Sequence, residues 1–283
     1  MTLQRLPTPA LRPFVVRLWA SDERVAQASD AAQVREHMLP TGAMHLVFRL
    51  TDSPLLIADR SGGAHVQALG PVMVGGARSR FYMRESRAPS CSVGAMLHPG
   101  TSLGLFGVTA DELAQQHTPL DLLWGASALE LHERLLEARG PEARLLVFES
   151  ALLARLPRVH GLHPAIAGAL APMACGQPVA EAVRRSGVSH RRFIELFRQD
   201  VGLTPKAWQR VQRFQRALPA LGERSDGAVA LASLAADSGY SDQSHFNRDF
   251  LAFAGVTPLA YRARAGVEAN HLPVDERFPV RRG

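Results

Sequence analysis

The sequence predicts two domains: a β-rich N-terminal domain, an antiparallel barrel or sandwich with trailing helices, and an all-α C-terminal domain. Three observations predict this. Short β-branched or aromatic runs, punctuated by Gly, Pro, Ser and Asp, fill the first hundred residues. After Gly107 the apolar residues change to helical spacing. A helical unit beginning at Val179 then recurs from Leu231.

Taken in order, the strand candidates are "AMHLVFRL" (43–50), "PLLIAD" (54–59), "AHVQAL" (64–69), "PVMVGG" (71–76), "RFYMRE" (80–85) and "CSVGAML" (91–97). Their close spacing favours an antiparallel barrel or sandwich. "TADE" (109–112) and "SALE" (127–130) read as capping boxes. Leu129, Leu131, Leu135 and Leu136 form an apolar stripe that Gly140 should end, and Pro141 suits the first turn of the next helix. The expected limits are therefore 1–158 for the first domain, with a helical segment at 109–158. A linker follows at 159–164, then the second domain at 165–265. The tail 266–283 has no periodicity and is expected to be flexible.

A hydrophobic content of 46% with 20% charged residues describes a globular chain. No apolar run approaches the roughly 20 residues of a membrane helix. The N-terminus lacks a signal peptide's apolar core, so a cytoplasmic protein is expected. Cys91 and Cys175 show neither CxxC nor zinc-ligand spacing and read as small core residues. The net charge of +6 is uneven: residues 1–160 carry +1, residues 161–265 carry +5 and the tail carries 0. A polyanionic partner for the C-terminal domain is one reading of that excess, a solvated basic surface the other.

The unit itself sharpens the choice. "VAEAVRRSGVS" (179–189) matches "LASLAADSGYS" (231–241), and "FIELFRQDVGLTPKAW" (193–208) matches "FNRDFLAFAGVTPLAY" (246–261). Each copy reads as helix, tight turn, helix. Gly187 and Gly239 end the first helix, and Ser189 and Ser241 are the expected caps of the second. Phe193/Phe197 and Phe246/Phe250, at i and i+4, mark the buried face. This is a double helix-turn-helix, whose second helices are suited to the DNA major groove. In the second copy Ser244, Asn247 and Arg248 fall away from Phe246 and Phe250, Gln243 sits at the flank in the first turn, and these side chains suit base edges. His245 faces outward at the side and suits a phosphate. In the first copy His190, Arg191 and Arg192 make a basic first turn, while Glu195 is placed to pair with Arg191 and Ile194 adds no polarity. "TPKAWQRVQRFQRAL" (204–218) reads as one helix joining the copies.

"SGYSDQSHFNRDFLAFAGVTPLAYR" (238–262) resembles the signature of the AraC/XylS transcription regulators, with a similarity covering about 165–265. The resemblance implies two helices in successive major grooves and carries over to Gln243, Ser244, Asn247 and Arg248 as DNA contacts. At Glu195 and Ile194 the first copy departs from it. The segments "RPFVVRLW", "HMLPTGAMHLVF", "GARSRF" and "VGAMLHPG" resemble the uncharacterised sensory domain of a subset of these regulators, implying a cupin-like effector or dimerisation domain. The implied partners are double-stranded DNA, RNA polymerase in activation, a small-molecule effector and a second copy.

Other chemistries lack support. No GxSxG, Walker or Rossmann pattern occurs, so neither enzyme nor cofactor is expected. His37, His45, His65 and His98 lie on or beside strands where a barrel could converge them on a metal, but no metal-ligand spacing accompanies them and no metal is assigned. Asp111/Glu112 and Glu130/Glu133 read as first-turn acids. Three function classes stand: a sequence-specific regulator with an effector domain, a β-barrel enzyme or metal-binding domain fused to DNA-binding helices, and a general DNA-organising protein. The outward polarity at 243–248 favours the first.

Overall fold

The computed structural model describes residues 2–22, 33–51, 55–59, 66–87, 91–156, 161–223, 230–266 and 269–274. Its N-terminal strands are β1 (Thr2–Arg5), β2 (Val15–Asp22), β3 (Gln33–Met38), β4 (Met44–Arg49), β5 (Leu55–Asp59), β6 (Val66–Leu69), β7 (Val72–Gly75), β8 (Tyr82–Arg87), β9 (Cys91–Leu97) and β10 (His117–Pro119). β11 (His271–Pro273) comes from the tail. They form two antiparallel sheets, ordered β1-β2-β9-β4-β7-β10 and β11-β3-β8-β5-β6. The sheets pack through Leu55, Ile57 and Leu69 of one against Met73 and Val47 of the other.

Strand alternation sorts the six-stranded sheet into two faces. Leu18, Leu46, Phe48, Val74 and Val93 are wholly buried on the outer face. That face is covered by α3 (Ala126–Glu137) and α4 (Gly140–Leu153), with Phe48 edge-on to Phe148 at 5.5 Å. Shorter helices, α1 (Ser102–Phe106) and α2 (Asp121–Trp124), fill the approach to them.

Several expectations change here. At "TADE" Glu112 reaches back to the Thr109 amide (2.9 Å), but a turn follows and no helix. "SALE" is not a cap: α3 already begins at Ala126, and Ser127 donates to the Trp124 carbonyl at 2.7 Å. Glu130 and Glu133 therefore lie beyond the first turn. Gly140 (φ 84°) opens α4 instead of closing α3, because the backbone turns extended at Ala138. Cys91 is buried as expected, but Cys175 is exposed at the end of α5 (Pro164–Ala174). The linker expectation falls partly on 157–160, outside the described residues; within it, His163 caps α5. His65 also lies outside them.

Part of the tail is a correction. Residues 269–274 pack into the N-terminal half: β11 pairs with β3, and Leu272 is fully buried. Residues 267–268 and 275–283, which that expectation also covers, lie outside the described residues. An edge strand pairs because its free amides and carbonyls need partners.

The rest is helical: α6 (Val179–Ser186), α7 (His190–Val201), α8 (Pro205–Glu223), α9 (Ala230–Asp237), α10 (Gln243–Ala254) and α11 (Pro258–Arg262). One hydrophobic core runs from the sheet's outer face into Phe193, Phe197 and Trp208 of the first unit. A second joins Phe214, Phe246, Phe250 and Tyr261 to Leu39 and Phe81 of the β-region and Leu272 of the tail.

Candidate nucleic-acid interface

The two units fold as repeats. Gly187 (φ 72°) and Gly239 (φ 82°) take the left-handed turn that follows α6 and α9. Ser189 caps α7, accepting from the Arg192 amide at 3.3 Å. The second unit differs: Asp242, not Ser241, caps α10, accepting from the His245 amide at 2.7 Å. A carboxylate is the stronger acceptor and suits the positive end of the helix dipole. The amide hydrogen bond and Ser241 hold its pKa below the usual carboxylate range.

On α10, Phe246, Phe250 and Phe253 are buried, whereas Gln243, Ser244 and Arg248 are exposed. Among the described residues none of these three polar side chains has a hydrogen-bonding or ionic partner. Asn247 is half-buried at the flank, and its Oδ1 is buried without a partner. His245 is committed inward. Its Nδ1 lies 3.2 Å from Ser241 Oγ, its ring packs edge-on to Tyr240, and its Nε2 is 3.8 Å from Asp249.

Asp249, outside the predicted contacts, fixes the helix. It is 5% exposed, and its two oxygens accept from Arg210 of α8 at 2.6 and 3.3 Å. The only signal was an acid at an otherwise apolar position. Arg213 lies over the Tyr240 ring at 5.1 Å, and Arg216 Nη2 donates to the Ser238 carbonyl at 3.1 Å. The arginines of the joining helix thus hold the second unit together.

On α7, His190, Arg191 and Arg192 are exposed. Glu195 is 3.1 Å from Arg191 and 3.6 Å from Arg192. Such exposed pairs are worth less than about 1 kcal/mol, but they bias both guanidinium groups toward their own helix.

The second unit is also seated on the β-region. His37 Nδ1 donates to the Ala254 carbonyl at 2.9 Å, and Gln215 reaches the Pro40 carbonyl at 2.8 Å and Asn270 at 2.7 Å. Gly255 (φ 74°) allows this approach: a Cβ there would come within 2.6 Å of Phe81 and 2.9 Å of His37. The first unit touches it too, through Gly100 N to Asp200 O and Ala110 N to Gln199 O, both 2.8 Å.

The duplicated helix pairs with exposed second-helix faces define a DNA-binding module, and comparison with known proteins agrees. Residues 182–264 match the family model described as a helix-turn-helix domain, and residues 3–119 match a domain of unknown function, DUF6597. The C-terminal part of the chain is a helix-turn-helix domain. It is 28% identical over 96 residues to the arabinose operon regulatory protein of Escherichia coli (strain K12), a match spanning 34% of this chain and 32% of that one. The alignment thus spans about a third of that relative's length. Among solved structures, an AraC-type transcriptional regulator from Chromobacterium violaceum is 24% identical, covering 38% of this chain and 94% of that one with a TM-score of 0.32. ToxT from Vibrio cholerae is 8% identical, covering 93% and 98% with a TM-score of 0.46.

No described helix is long and apolar enough to cross a membrane. Among the described residues no group of three or more His, Cys, Asp or Glu is arranged to hold a metal. His37 instead bonds to Ala254, His45 to Thr41, and His98 is exposed.

Proposed function

We propose that the chain is a sequence-specific transcription regulator whose two second helices, α7 and α10, enter successive major grooves. The observation that carries this is the pair of folded helix-turn-helix units whose outward faces are polar, with Gln243, Ser244 and Arg248 unengaged on α10. Base reading falls chiefly to α10. On α7, His190, Arg191 and Arg192 supply phosphate contacts, their charge tempered by Glu195. The N-terminal region senses a small molecule or mediates dimerisation. Its docking on the second unit through His37, Gln215 and β11 is the route by which that molecule would alter DNA affinity. Activation through RNA polymerase completes the reading.

A genome-wide map of bound DNA gives the operator. A footprint should then show two protected half-sites about one helical turn apart. A ratio of specific to non-specific affinity near unity would overturn the reading in favour of a general DNA-organising protein.

A further inference from the structure

Leu251 stands on the side of α10 that faces away from the core. With Phe246 at zero, helical spacing sets Phe250 and Phe253 at about 40° and −20°, and Ser244, Leu251 and Arg248 at about 160°, 140° and −160°. The three phenylalanines are buried, whereas Leu251 is 50% exposed. Leu251 therefore completes an outward stripe that begins with Ser244 and Arg248, at i, i+4 and i+7. The backbone holds it there. Its carbonyl accepts from the Gly255 amide at 2.9 Å, and Asp249, two residues before it, is clamped by Arg210.

The repeat separates reading positions from scaffold. Phe193 and Phe197 occupy the places of Phe246 and Phe250, and all four are buried. On the outward side the residue types change. Arg191 occupies the place of Ser244, Glu195 that of Arg248 and Arg198 that of Leu251. Arg191 and Arg198 are exposed on α7 as Leu251 is on α10. Leu251 thus belongs with the positions that differ between the two units, not with those that build them.

A leucine neither donates nor accepts a hydrogen bond. Pressed against a phosphate or a polar base edge, it would strip water from that group and return nothing. The apolar group on the base edges of the major groove is the C5 methyl of thymine. Asn247, one turn before Leu251, is half-buried with its Oδ1 buried and unpaired, so the donor–acceptor pair that adenine takes is not presented on this side. Leu251 lies three residues beyond Arg248, about 4.5 Å further along the axis, against a base-pair step of about 3.4 Å. It meets the next base pair or the one after.

We propose that Leu251 is a specificity-determining residue of α10 and packs against the methyl group of a thymine, within about two base pairs of the base that Arg248 reads. The proposal rests on the reading of α10 as a base-reading helix and names part of the sequence it selects. Arg248 supplies the hydrogen bonds of that half-site, and Leu251 supplies its apolar contact.

Duplexes selected by the full chain from a random-sequence pool provide the test. Each thymine of the α10 half-site is replaced singly by deoxyuridine, which pairs like thymine but lacks the methyl group. One replacement, within about two base pairs of the position that Arg248→Ala relaxes, should weaken binding about fourfold, the size of one buried methyl group. Leu251→Ala should bind the thymine and uridine duplexes alike, with unchanged circular dichroism, because the side chain removed is exposed. A consensus in which no thymine methyl matters would overturn the proposal and leave the regulator reading standing. A methyl effect that persists in Leu251→Ala would do the same. Selection that yields no consensus would sink both.

Discussion

Arg248 is the residue on which base reading turns. It is exposed, unengaged and opposite the Phe246/Phe250 face. Arg248→Ala should cost about 1–3 kcal/mol on the cognate site and relax specificity at one base pair. An equal loss on random DNA, read by competition binding, would make it a phosphate contact. Glu195→Gln should free Arg191 and Arg192 and raise affinity on cognate and random DNA alike, with a steeper salt dependence. An unchanged salt slope would show that the pairs do not restrain them. Asp249→Ala would strand the α8–α10 clamp and cost about 1–3 kcal/mol of stability in chemical denaturation. Ser244 and Arg248 were readable because helical spacing alone separates them from the phenylalanines, whereas Gln243 is exposed because it opens the helix. His245 also meets Ser241, Tyr240 and Asp249, which become its neighbours only once the turn folds.

At the scale of elements, the six predicted runs fall on β4 to β9, while β1, β2, β3, β10 and β11 carry no such run. The runs were readable because each holds apolar residues between turn-forming ones. β2 hides its alternation behind an irregularity between Val15 and Arg17. β3 is polar because one face meets the charged interior and the other meets α10. β11 is three residues long and no period can reveal it. It nevertheless anchors the tail. Leu272→Ala should destabilise the chain by about 2–5 kcal/mol, measured by denaturation, as expected for a fully buried leucine. A value near zero would mean that β11 pairs without contributing to the core. Gly255→Ala should loosen the second unit from the β-region, visible as faster hydrogen exchange in both β3 and the end of α10.

For the whole molecule, acid should weaken the fold in a defined window. Burial and the neighbouring arginines hold His45 at about 4 and His117 at about 3, and unfolding returns both to the ordinary value near 6.5. Between that value and about 4 the unfolded chain therefore holds more protons, and stability falls as pH falls through the window. Glu36 acts in the same direction at lower pH. Burial pushes it upward, but His271 and Arg84 outweigh burial and hold it at about 2. Thermal midpoints between pH 7 and 4 should thus decline less in a His45→Gln, His117→Gln double variant than in the parent. The shared cores predict a second whole-molecule effect. A fragment of residues 165–265 keeps both reading helices but loses Leu39, Phe81 and Leu272 from one core. It should bind DNA at low salt and melt well below the full chain.

By itself the sequence determined the duplicated helix-turn-helix, its buried aromatic face and the polar outward face of α10. Those follow from local spacing, which every helix of that sequence must obey. Only the tertiary structure decided the rest. It turned His245 inward, folded the tail back as a strand and let the second unit share a core with the β-region. Each of these depends on residues far apart in the chain meeting across a register or a packed interface, and periodicity carries no information about such meetings.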